Sequence, residues 1–578
     1  MGGWVCNRQL GRLANLWQSD SAMRLTPLRE VNPTGEIMTR TFSTLLCVLG
    51  LWLSQFTCFG NHELRGQIVD AESGEPLAAR LYIQSMNGWH HAQSKGEGGA
   101  AVPYKVIRHL SEEVHTSLTA HPFTCQLPPG RYTLTAERGK EYLPATATVE
   151  ITDGPQEVTL KLRRWTNMAE RTWFSGETHV HRTIADLRTV VLGEDLNVAL
   201  PLTYWVTDST ETPARNNHNR EAIPPAKLIH VDDTHCIWPI NTEYEIFTVR
   251  GQRNTLGAVF VLNHQKALTM TTPPVEPIVK EARRQGAILD LDKHNWPWSM
   301  MLLPIMDIDL FELTNNHIWR TRFMFRNWYA EFTAPYMKVE QDEKGNFTEL
   351  GWIHFGLENY YTLLNCGFDI MPSAGTASGV HPVPLGFGRV YVHLPDGFSY
   401  QGWIEGLRDG RSFVTTGPMM EVQFNGKPAG EKFAAKGGEE FAMHVTGVIE
   451  SPEPITSIEL LINAEVSESI KVQPEKTRHG TFRQKIDLRT KIGESSWLAV
   501  RCFSATEAGR PRFAHTAPVH VSIDDQAIRP RAVEVEYLIK RVEDQAARFE
   551  KVLSEQELGE FQRAAEFYRK KLGRADDK

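Results

Sequence analysis

Short apolar runs alternate with helical segments between residues 170 and 420, and this alternation constrains the fold more than any other feature of the chain. The apolar runs are TWFSGETHVH, ALPLTYWVTD, EYEIFTV, AVFVLNH, AILDLDKH, IDLFELTNNH and FDIMPSAGT. Helical candidates lie at 184–196, 274–285, 318–332, 356–366 and 400–409. Strand–helix alternation predicts a parallel sheet or barrel. Because several runs end in ionisable residues, a barrel would gather those residues at one mouth, where its strands end.

The segments on either side of this region follow different patterns. Residues 63–165 and 421–525 alternate apolar and polar positions between Gly and Pro turns, which predicts two small β-sandwiches. Residues 531–572 place apolar side chains at a 3.6-residue period, and Ser554 with Glu557 matches a capping box. We therefore expect the chain to end in a helical hairpin that packs on the body.

A chain of 578 residues is too long for one hydrophobic core, so several domains are expected. The predicted ranges are an upstream extension and signal peptide at 1–60, a β-sandwich at 61–168, a barrel at 169–420, a second, immunoglobulin-like sandwich at 421–528 and C-terminal helices at 529–578. A formal net charge of −8 gives no reason to expect nucleic acid or an anionic membrane as a partner. The sequence does not indicate an oligomeric state.

Residues 41–59 form the only strongly apolar stretch near the N-terminus, and Met38-Thr39-Arg40 supplies a short basic start. This pattern predicts a secretory signal peptide at about 38–60 and a secreted or periplasmic protein without a stable membrane span after cleavage. An uncleaved signal anchor is the alternative. Beyond the signal, single cysteines without CxxC spacing argue against a cysteine zinc site and predict separate buried thiols at Cys125, Cys236, Cys366 and Cys502.

A pair of histidines closes the first apolar run of the central region. His179 and His181 are two positions apart, so on a strand both side chains point to the same face, and Asp186 follows five residues later. Both imidazoles can therefore bind one metal ion, and a metal held by His and carboxylate can activate water at neutral pH. Chance alone supplies about 0.8 such pairs in a chain with 21 histidines, so the motif depends on its context.

Further ionisable residues lie at or near the ends of the later runs. Each one alone is more often an ordinary loop or salt-bridge residue, and their convergence on one mouth is what indicates a site. Asp290 and Asp292 share a strand face in ILDLDKH. Besides His179, His181 and Asp186, the candidate metal ligands are Asp208, Glu245, His264 and Glu312, and the candidate catalytic residues are Lys293, His294 and His317.

Two parts of the chain resemble known families. GQIVDAESGEPL at Gly66–Leu77 and PPGRYTL at Pro128–Leu134 resemble the carboxypeptidase regulatory-like domain, a transthyretin-type accessory module of exported bacterial proteins. GETHVHRTIADLRTVVLGEDLNVALPLTYW and PSAGTASGVHPVPLGFGRVYVHLPDGFSYQGWIEGLRDGRSFVTTGP resemble the carbaryl-hydrolase-like branch (CehA/McbA) of the PHP metallohydrolases, over about residues 170–420. This second resemblance implies a distorted (β/α)7 barrel that binds metal ions and hydrolyses phosphoesters, amides or carbamate esters.

The second resemblance also implies roles for individual residues. The matched positions are His179, His181 and Asp186 for the first metal motif, Asp208 for the acid of a Thr-Asp-His motif, and Glu245 and His264 near later ligand positions.

The chain departs from the family pattern at two motifs. Ser209 stands where the Thr-Asp-His motif has its histidine, and the late Gly-Ser-Asp-x-His motif is here Gly375-Thr376-Ala377-Ser378-Gly379. His381 follows two residues late. With three ligands missing, the resemblance implies a reduced site for one or two divalent ions of Zn, Mn or Fe, completed by Glu312 or His317, or an inactive relative.

Two functions are consistent with these residues. The first is an exported metal-dependent hydrolase that acts on an ester, carbamate, amide or phosphoester bond of a small-molecule or glycan-derived substrate. Lys293, His294 or His317 would stabilise the oxyanion or protonate the leaving group. A serine hydrolase is not indicated, because the chain has no GxSxG elbow. The second function is a catalytically decayed PHP-like barrel that binds cell-envelope or glycan material, suggested by the missing ligands and by Trp296, Trp298, Trp319, Trp328 and Trp352.

Overall fold

The computed structural model describes residues 60–215, 225–436 and 440–575. The predicted extension and signal peptide therefore lie outside the described residues, apart from Gly60. The described part is mostly β-structure in several sheets, with seven α-helices. No helix in that part is long and apolar enough to cross a membrane.

Two sheets form the N-terminal part of the structure, as expected for the predicted β-sandwich. Their inner faces meet over a core that includes Leu64, Leu81 and Leu134. A Cβ on Gly66 would come within 2.2 Å of the Phe123 ring, so this glycine permits the close approach of the neighbouring strand. The strands are β1 (His62–Asp70), β2 (Ala79–Ser85), β3 (Gly88–His90), β4 (Gln93–Ser94), β5 (Ala101–Arg108), β6 (Ser111–Leu118), β7 (Phe123–Leu127), β8 (Gly130–Glu137), β9 (Tyr142–Leu143), β10 (Ala145–Ile151) and β11 (Gln156–Arg164).

The central part mixes strands and helices. Its strands are β12 (Trp173–Val180), β13 (Val198–Pro201), β14 (Tyr204–Asp208), β15 (Ala214–Arg215), β16 (Ile229–His230), β17 (Cys236–Ile237), β18 (Thr242–Val249), β19 (Gln252–Leu262), β20 (Ile288–Leu291), β21 (Leu310–Thr314), β22 (Met371–Ser378) and β23 (Arg389–His393). Its helices are α1 (Ile184–Gly193), α2 (Glu276–Arg284), α3 (Ser299–Met306), α4 (Glu349–Asn365) and α5 (Tyr400–Arg408), with 3₁₀ turns at Ala169–Arg171 and Ala330–Phe332.

The first and last long strands of this region are neighbours. Strand β12 is buried along its whole length and pairs in parallel with both β13 and β22. Strands β14, β18, β19, β20, β21 and β22 pair in that order. Strand β19 is antiparallel to both of its neighbours, because β18 returns into it through a tight turn at Arg250 and Gly251 rather than through a helix. The sheet is therefore mixed, whereas strand–helix alternation predicts a parallel one.

Four of the five predicted central helices are present as α1, α2, α4 and α5. The predicted helix at 318–332 is wrong, since this segment is irregular apart from the 3₁₀ turn. Its carbonyl groups at Trp319 and Arg320 accept hydrogen bonds from the Arg510 guanidinium instead of from a helical turn. Helix α3 was not predicted, because its sequence SMMLLPIM is apolar on all sides and contains Pro304.

The C-terminal strands continue from the central sheet. Strand β24 pairs with both β23 and β33, and a separate sheet has the order β25-β27-β31-β30. The strands are β24 (Ser412–Thr415), β25 (Met419–Phe424), β26 (Lys432–Ala435), β27 (Phe441–Ser451), β28 (Ile455–Ile462), β29 (Glu465–Ser469), β30 (Glu475–Lys476), β31 (Phe482–Ile492), β32 (Ser496–Ala505), β33 (Pro511–Thr516) and β34 (Val519–Ile523). Helices α6 (Ala532–Phe549) and α7 (Glu555–Leu572) follow.

The C-terminal helical hairpin is confirmed. Helices α6 and α7 pack on each other, and Ser554 and Glu557 form the predicted capping box at the start of α7. Val535 and Leu538 are buried on the inner face of α6. The described residues form one compact unit, and the domain boundaries at 168, 420 and 528 stay predictions. The four predicted buried thiols are confirmed as free and buried: Cys125, Cys236, Cys366 and Cys502.

Candidate metal centre

The histidine pair lies at the end of β12, in the interior of the mixed sheet. As predicted, His179 and His181 face the same side, with their Nε2 atoms 3.3 Å apart. Strand β22 runs beside them, and a Cβ on Gly375 would come within 2.1 Å of the His179 Cβ. A Cβ on Gly379 would come within 2.3 Å of the His181 carbonyl oxygen. Only glycine therefore allows this segment to pass so close to the pair.

Four carboxylates carried by three strands of the same sheet, β18, β20 and β21, lie around the pair. Glu243 and Glu245 lie two positions apart on β18, Asp292 follows β20, and Glu312 lies on β21. Glu243, Asp292 and Glu312 are buried, and Glu245 is half-buried. These strands thus bring their acids to one place, with Asp292 after the end of β20 but Glu243 and Glu245 near the start of β18.

The distances within this cluster suit shared coordination of a cation. Glu312 Oε2 lies 3.0 Å and Asp292 Oδ1 lies 3.6 Å from His179 Nδ1, whereas Glu243 Oε2 lies 3.2 Å from His181 Nε2. Three overlapping groups each bring three ligand atoms within 4.8 Å of one another: His179, His181 and Glu243; His179, Asp292 and Glu312; and Glu243, Glu245 and Asp292.

Two of these ligand atoms, Glu243 Oε2 and Asp292 Oδ1, lack a hydrogen-bond partner among the described residues, and so does the other ring nitrogen of His181, Nδ1. A buried polar atom without a partner costs about 1–3 kcal/mol, and a cation would satisfy the carboxylate oxygens. Imidazole nitrogen and carboxylate oxygen are common ligands of divalent metals. The buried His, Glu and Asp side chains therefore fit a metal ion.

Burial also sets the protonation of the cluster. It raises the pKa of Glu245 to about 7, helped by the negative charge of Glu243. It raises the pKa of Glu312 well above its usual value. Burial, followed by the positive charge of Lys293, lowers the pKa of His179 well below its usual value. The His179 imidazole is thus held neutral, as a metal ligand must be. A bound cation would favour the ionised forms of Glu245 and Glu312.

Lys293 is the positively charged group that the structure places among these acids. Its ammonium contacts the Asp292 carboxylate and lies 3.6 Å from Glu245 Oε1. This predicted catalytic residue is therefore part of the cluster. A metal ion held by Asp292 would compete with Lys293 for this carboxylate.

Two more buried acids connect the strands behind the cluster. Glu177 accepts hydrogen bonds from the backbone and the hydroxyl of Thr376, at 2.7 and 2.5 Å. Asp290 accepts from the hydroxyls of Thr178 and Ser373, at 2.9 and 2.8 Å. Burial raises the pKa of Glu177 to about 8 and that of Asp290 to about 7. These bonds fix the spacing of the strands that carry the ligands.

Two histidines and several aromatic rings form one side of the site. The His317 ring lies 4.0 Å from the Phe325 ring and 6.2 Å from that of His381, and the Trp319 indole donates to His381 Nδ1 at 3.0 Å. His317, a predicted catalytic residue, directly follows Asn316, whose backbone N–H donates to the Glu312 carboxylate at 2.9 Å. It therefore lies beside the cluster, and burial lowers its pKa.

Besides Lys293 and His317, four other predicted residues belong to none of the three ligand groups. Asp186 lies in the first turn of α1, and Asp208 accepts hydrogen bonds within the turn that follows β14. His264 is buried, and its ring nitrogens contact the Thr242 hydroxyl of β18 and the Lys266 backbone carbonyl. His294 packs against the Phe311 ring, 5.4 Å away, with its ring nitrogens unpartnered among the described residues. The structure thus does not bring these four to the ligand groups.

Other residues of the site were missed or undervalued from the sequence. Glu243 was missed, although it stands two positions before Glu245 and so shares its face, as the histidines do. Asp292 was noted without being counted as a ligand. Arg108, which lies 2.9 Å from His381, belongs to the N-terminal sandwich, and no local pattern marks it.

Comparison with known proteins finds no matching family model, no matching curated protein and no matching solved structure.

Proposed function

We propose that the protein is an exported metal-dependent hydrolase of the PHP type, similar to the CehA/McbA branch, that acts on an ester, carbamate, amide or phosphoester bond. The observation that carries the proposal is the set of three overlapping buried groups of His and carboxylate ligands. The order of strands supports the barrel. If β13 and β14 are counted as one interrupted strand, seven strands are each next to the following one: β12, β13/β14, β18, β19, β20, β21 and β22. The last of them pairs with the first.

The ligands of this site would be His179, His181, Glu243, Asp292 and Glu312, and their number suits one or two ions. A divalent ion of Zn, Mn or Fe supplies positive charge that polarises the substrate and activates water. The imidazole and carboxylate donors suit all three metals.

Three side chains beside the ligands have the chemistry for the remaining steps. Glu245, two positions from Glu243 and 3.6 Å from the Lys293 ammonium, is placed to accept a proton from water when it does not itself bind the ion. The Lys293 ammonium can bind negative charge that develops on the substrate. His317, kept neutral by burial, can hydrogen-bond to the leaving group from the side of the site. His294 is less suitable, because it packs behind Phe311.

The alternative, a decayed barrel that binds cell-envelope or glycan material, has weaker support. Trp296, Trp298, Trp319 and Trp352 are buried, so they do not present flat rings to a glycan. The segment Gly375–Gly379, which contributes no ligand, is the observation that still favours this alternative.

Elemental analysis combined with one conservative substitution tests the proposed function. We expect purified protein to contain one or two divalent metal ions and to hydrolyse 4-nitrophenyl ester or phosphoester probes. Glu243→Gln keeps the shape of the side chain but removes its charge, so bound metal and turnover should both fall, turnover by about 100-fold. The exposed Glu157→Gln is the control. Full metal content and full turnover in Glu243→Gln would show that the site is misassigned.

Export is a separate part of the proposal and has its own test. The full-length chain with a C-terminal tag is expressed in bacteria and the cell fractions are separated. We expect mature protein outside the cytoplasm with its N-terminus near residue 60. An uncleaved chain that stays in the cytoplasm would contradict this part alone.

A further inference from the structure

Arg108 brings a positive charge from the N-terminal sandwich to the candidate metal centre. It is the last residue of β5 and pairs with Ser111, where β6 begins. One guanidinium nitrogen lies 2.9 Å from His381 Nε2. The His381 ring in turn lies 6.2 Å from that of His317. The tip of this hairpin therefore lies on the side of the candidate site that His317 and His381 form.

The guanidinium of Arg108 is poorly satisfied by the protein. Among the described residues it makes no ion pair, and its one side-chain hydrogen bond is to His381. The other ring nitrogen of His381 faces the Trp319 indole N–H at 3.0 Å. A neutral imidazole accepts at only one of its two nitrogens. His381 can therefore accept a hydrogen bond from Arg108 or from Trp319, but not from both at once. Most of the five N–H groups of Arg108 are therefore available to a ligand.

The position of Arg108 is fixed by the strand that carries it. Tyr104 lies four residues earlier on the same face of β5. Its hydroxyl donates to the His381 carbonyl oxygen at 2.5 Å and accepts from the Gly379 backbone N–H at 3.0 Å. Gly379 is itself packed against the His181 carbonyl. The strand is thus anchored to the segment that touches the metal ligands.

The turn beyond Arg108 is strained. His109 and Leu110 have φ values of 50° and 63°, in the left-handed region that favours glycine or asparagine. Such strain persists where the surrounding structure holds it, and it clusters at ligand-binding sites. The His109 ring stacks on Trp319, with centroids 6.4 Å apart, which helps to hold the turn against the site.

We propose that Arg108 binds an anionic oxygen group of the substrate, a carboxylate or a phosphoryl group, next to the bond that is cleaved. The inference rests on the proposed hydrolase function and narrows its substrates to anionic ones. A planar guanidinium can donate two parallel hydrogen bonds to such a group. The N-terminal sandwich is then part of substrate recognition, although it supplies no metal ligand.

A set of probes that differ in charge tests this role. The probes are neutral 4-nitrophenyl acetate, the carboxylate mono-4-nitrophenyl adipate and 4-nitrophenyl phosphate. Arg108→Gln should lower kcat/KM for the preferred anionic probe by about 10- to 100-fold and for the acetate by less than about 3-fold. Metal content should not change, and Arg108→Lys should keep part of the preference. Lys105→Gln, an exposed position on the opposite face of β5, removes the same charge and is the control.

The outcomes separate this inference from the proposed function. Equal loss on neutral and anionic probes, or no loss on any, would overturn the role of Arg108. If the unmodified protein hydrolyses none of the probes, the proposed function fails instead. The role of Arg108 is then decided by the rise in Tm with inorganic phosphate or adipate. A rise that Arg108→Gln abolishes supports the role, and an unchanged or absent rise overturns it.

Discussion

Gly375 and Gly379 determine how closely β22 can approach the histidine pair. A side chain at Gly375 would meet the Cβ of His179 and come within 3.0 Å of Glu312 Oε1. In the PHP-type site that we propose, the corresponding segment would be expected to carry ligands. Here its contribution is close packing, which holds His179 and Glu312 side by side.

The buried imidazole of His264 makes stability sensitive to acid. Burial lowers its pKa to about 4 from the ordinary 6.5, so between these values the unfolded chain takes up a proton that the folded protein excludes. Stability from this residue is therefore complete above pH 6.5 and is lost as the pH falls towards 4. We expect a loss of about 2 kcal/mol between about pH 7.5 and pH 5.

Urea unfolding at the two pH values measures this loss. His264→Asn keeps a side chain that can hydrogen-bond but cannot titrate, so its loss between the two pH values should be smaller by about 2 kcal/mol. A variant that loses as much as the unmodified protein would show that other groups cause the acid sensitivity.

The parts of the site that could be predicted are those fixed by strand alternation. His179 and His181 share a face because they are two positions apart on a strand, and the same rule would have found Glu243 beside Glu245. Asp186 could not be placed in this way. It lies beyond the end of β12, and the path of the chain after a strand depends on tertiary packing, which here draws Asp186 into the first turn of α1.

At the scale of whole elements, one-sided burial decides which helices the sequence reveals. Helices α2 and α7 each show one apolar face, and the capping box marks where α7 begins. Helix α3 is buried on nearly every side, so it has no period to detect. The hairpin from β18 to β19 was also missed, because its turn, Arg250-Gly251, lacks the usual Asn-Gly or Asp-Gly signal.

The capping box of α7 leads to a prediction about stability. The Ser554 hydroxyl accepts from the Glu557 backbone N–H, and the Glu557 carboxylate accepts from the Ser554 backbone N–H at 2.6 Å. Ser554→Ala removes one of these bonds and should lower the free energy of unfolding by about 1 kcal/mol. Ser554→Asp, which can also cap, should restore most of it. Equal stability of all three proteins in urea would contradict a capping role.

At the scale of the whole molecule, buried ion pairs join the N-terminal sandwich to the central part. Arg80 of β2 contacts Glu194 at the end of α1, and both side chains are buried. Arg320, in the irregular segment 318–332 of the central part, pairs with buried Glu113 of β6 at 3.1 Å. Separating the two parts would leave these charges buried or unpaired, so the sandwich and the central part should unfold together.

Calorimetry of a matched pair of variants tests this coupling. Glu113→Gln leaves the Arg320 guanidinium without its buried partner and should lower stability by about 3 kcal/mol, whereas exposed Glu112→Gln should change little. The unmodified protein should unfold in one transition. Two separate transitions, or equal effects of the two substitutions, would show that the sandwich is energetically independent.

The tip of the hairpin between β5 and β6, residues 107–110, is a short segment whose sequence can be varied separately from the rest of the site. Its register is fixed by the pairing of Arg108 with Ser111 and, further back, of Tyr104 with His115. The two-residue tip contains neither these anchors nor a candidate metal ligand. Under the proposed function, changes at these four positions would alter substrate selectivity while leaving the candidate ligands in place, and a small library there would test this directly.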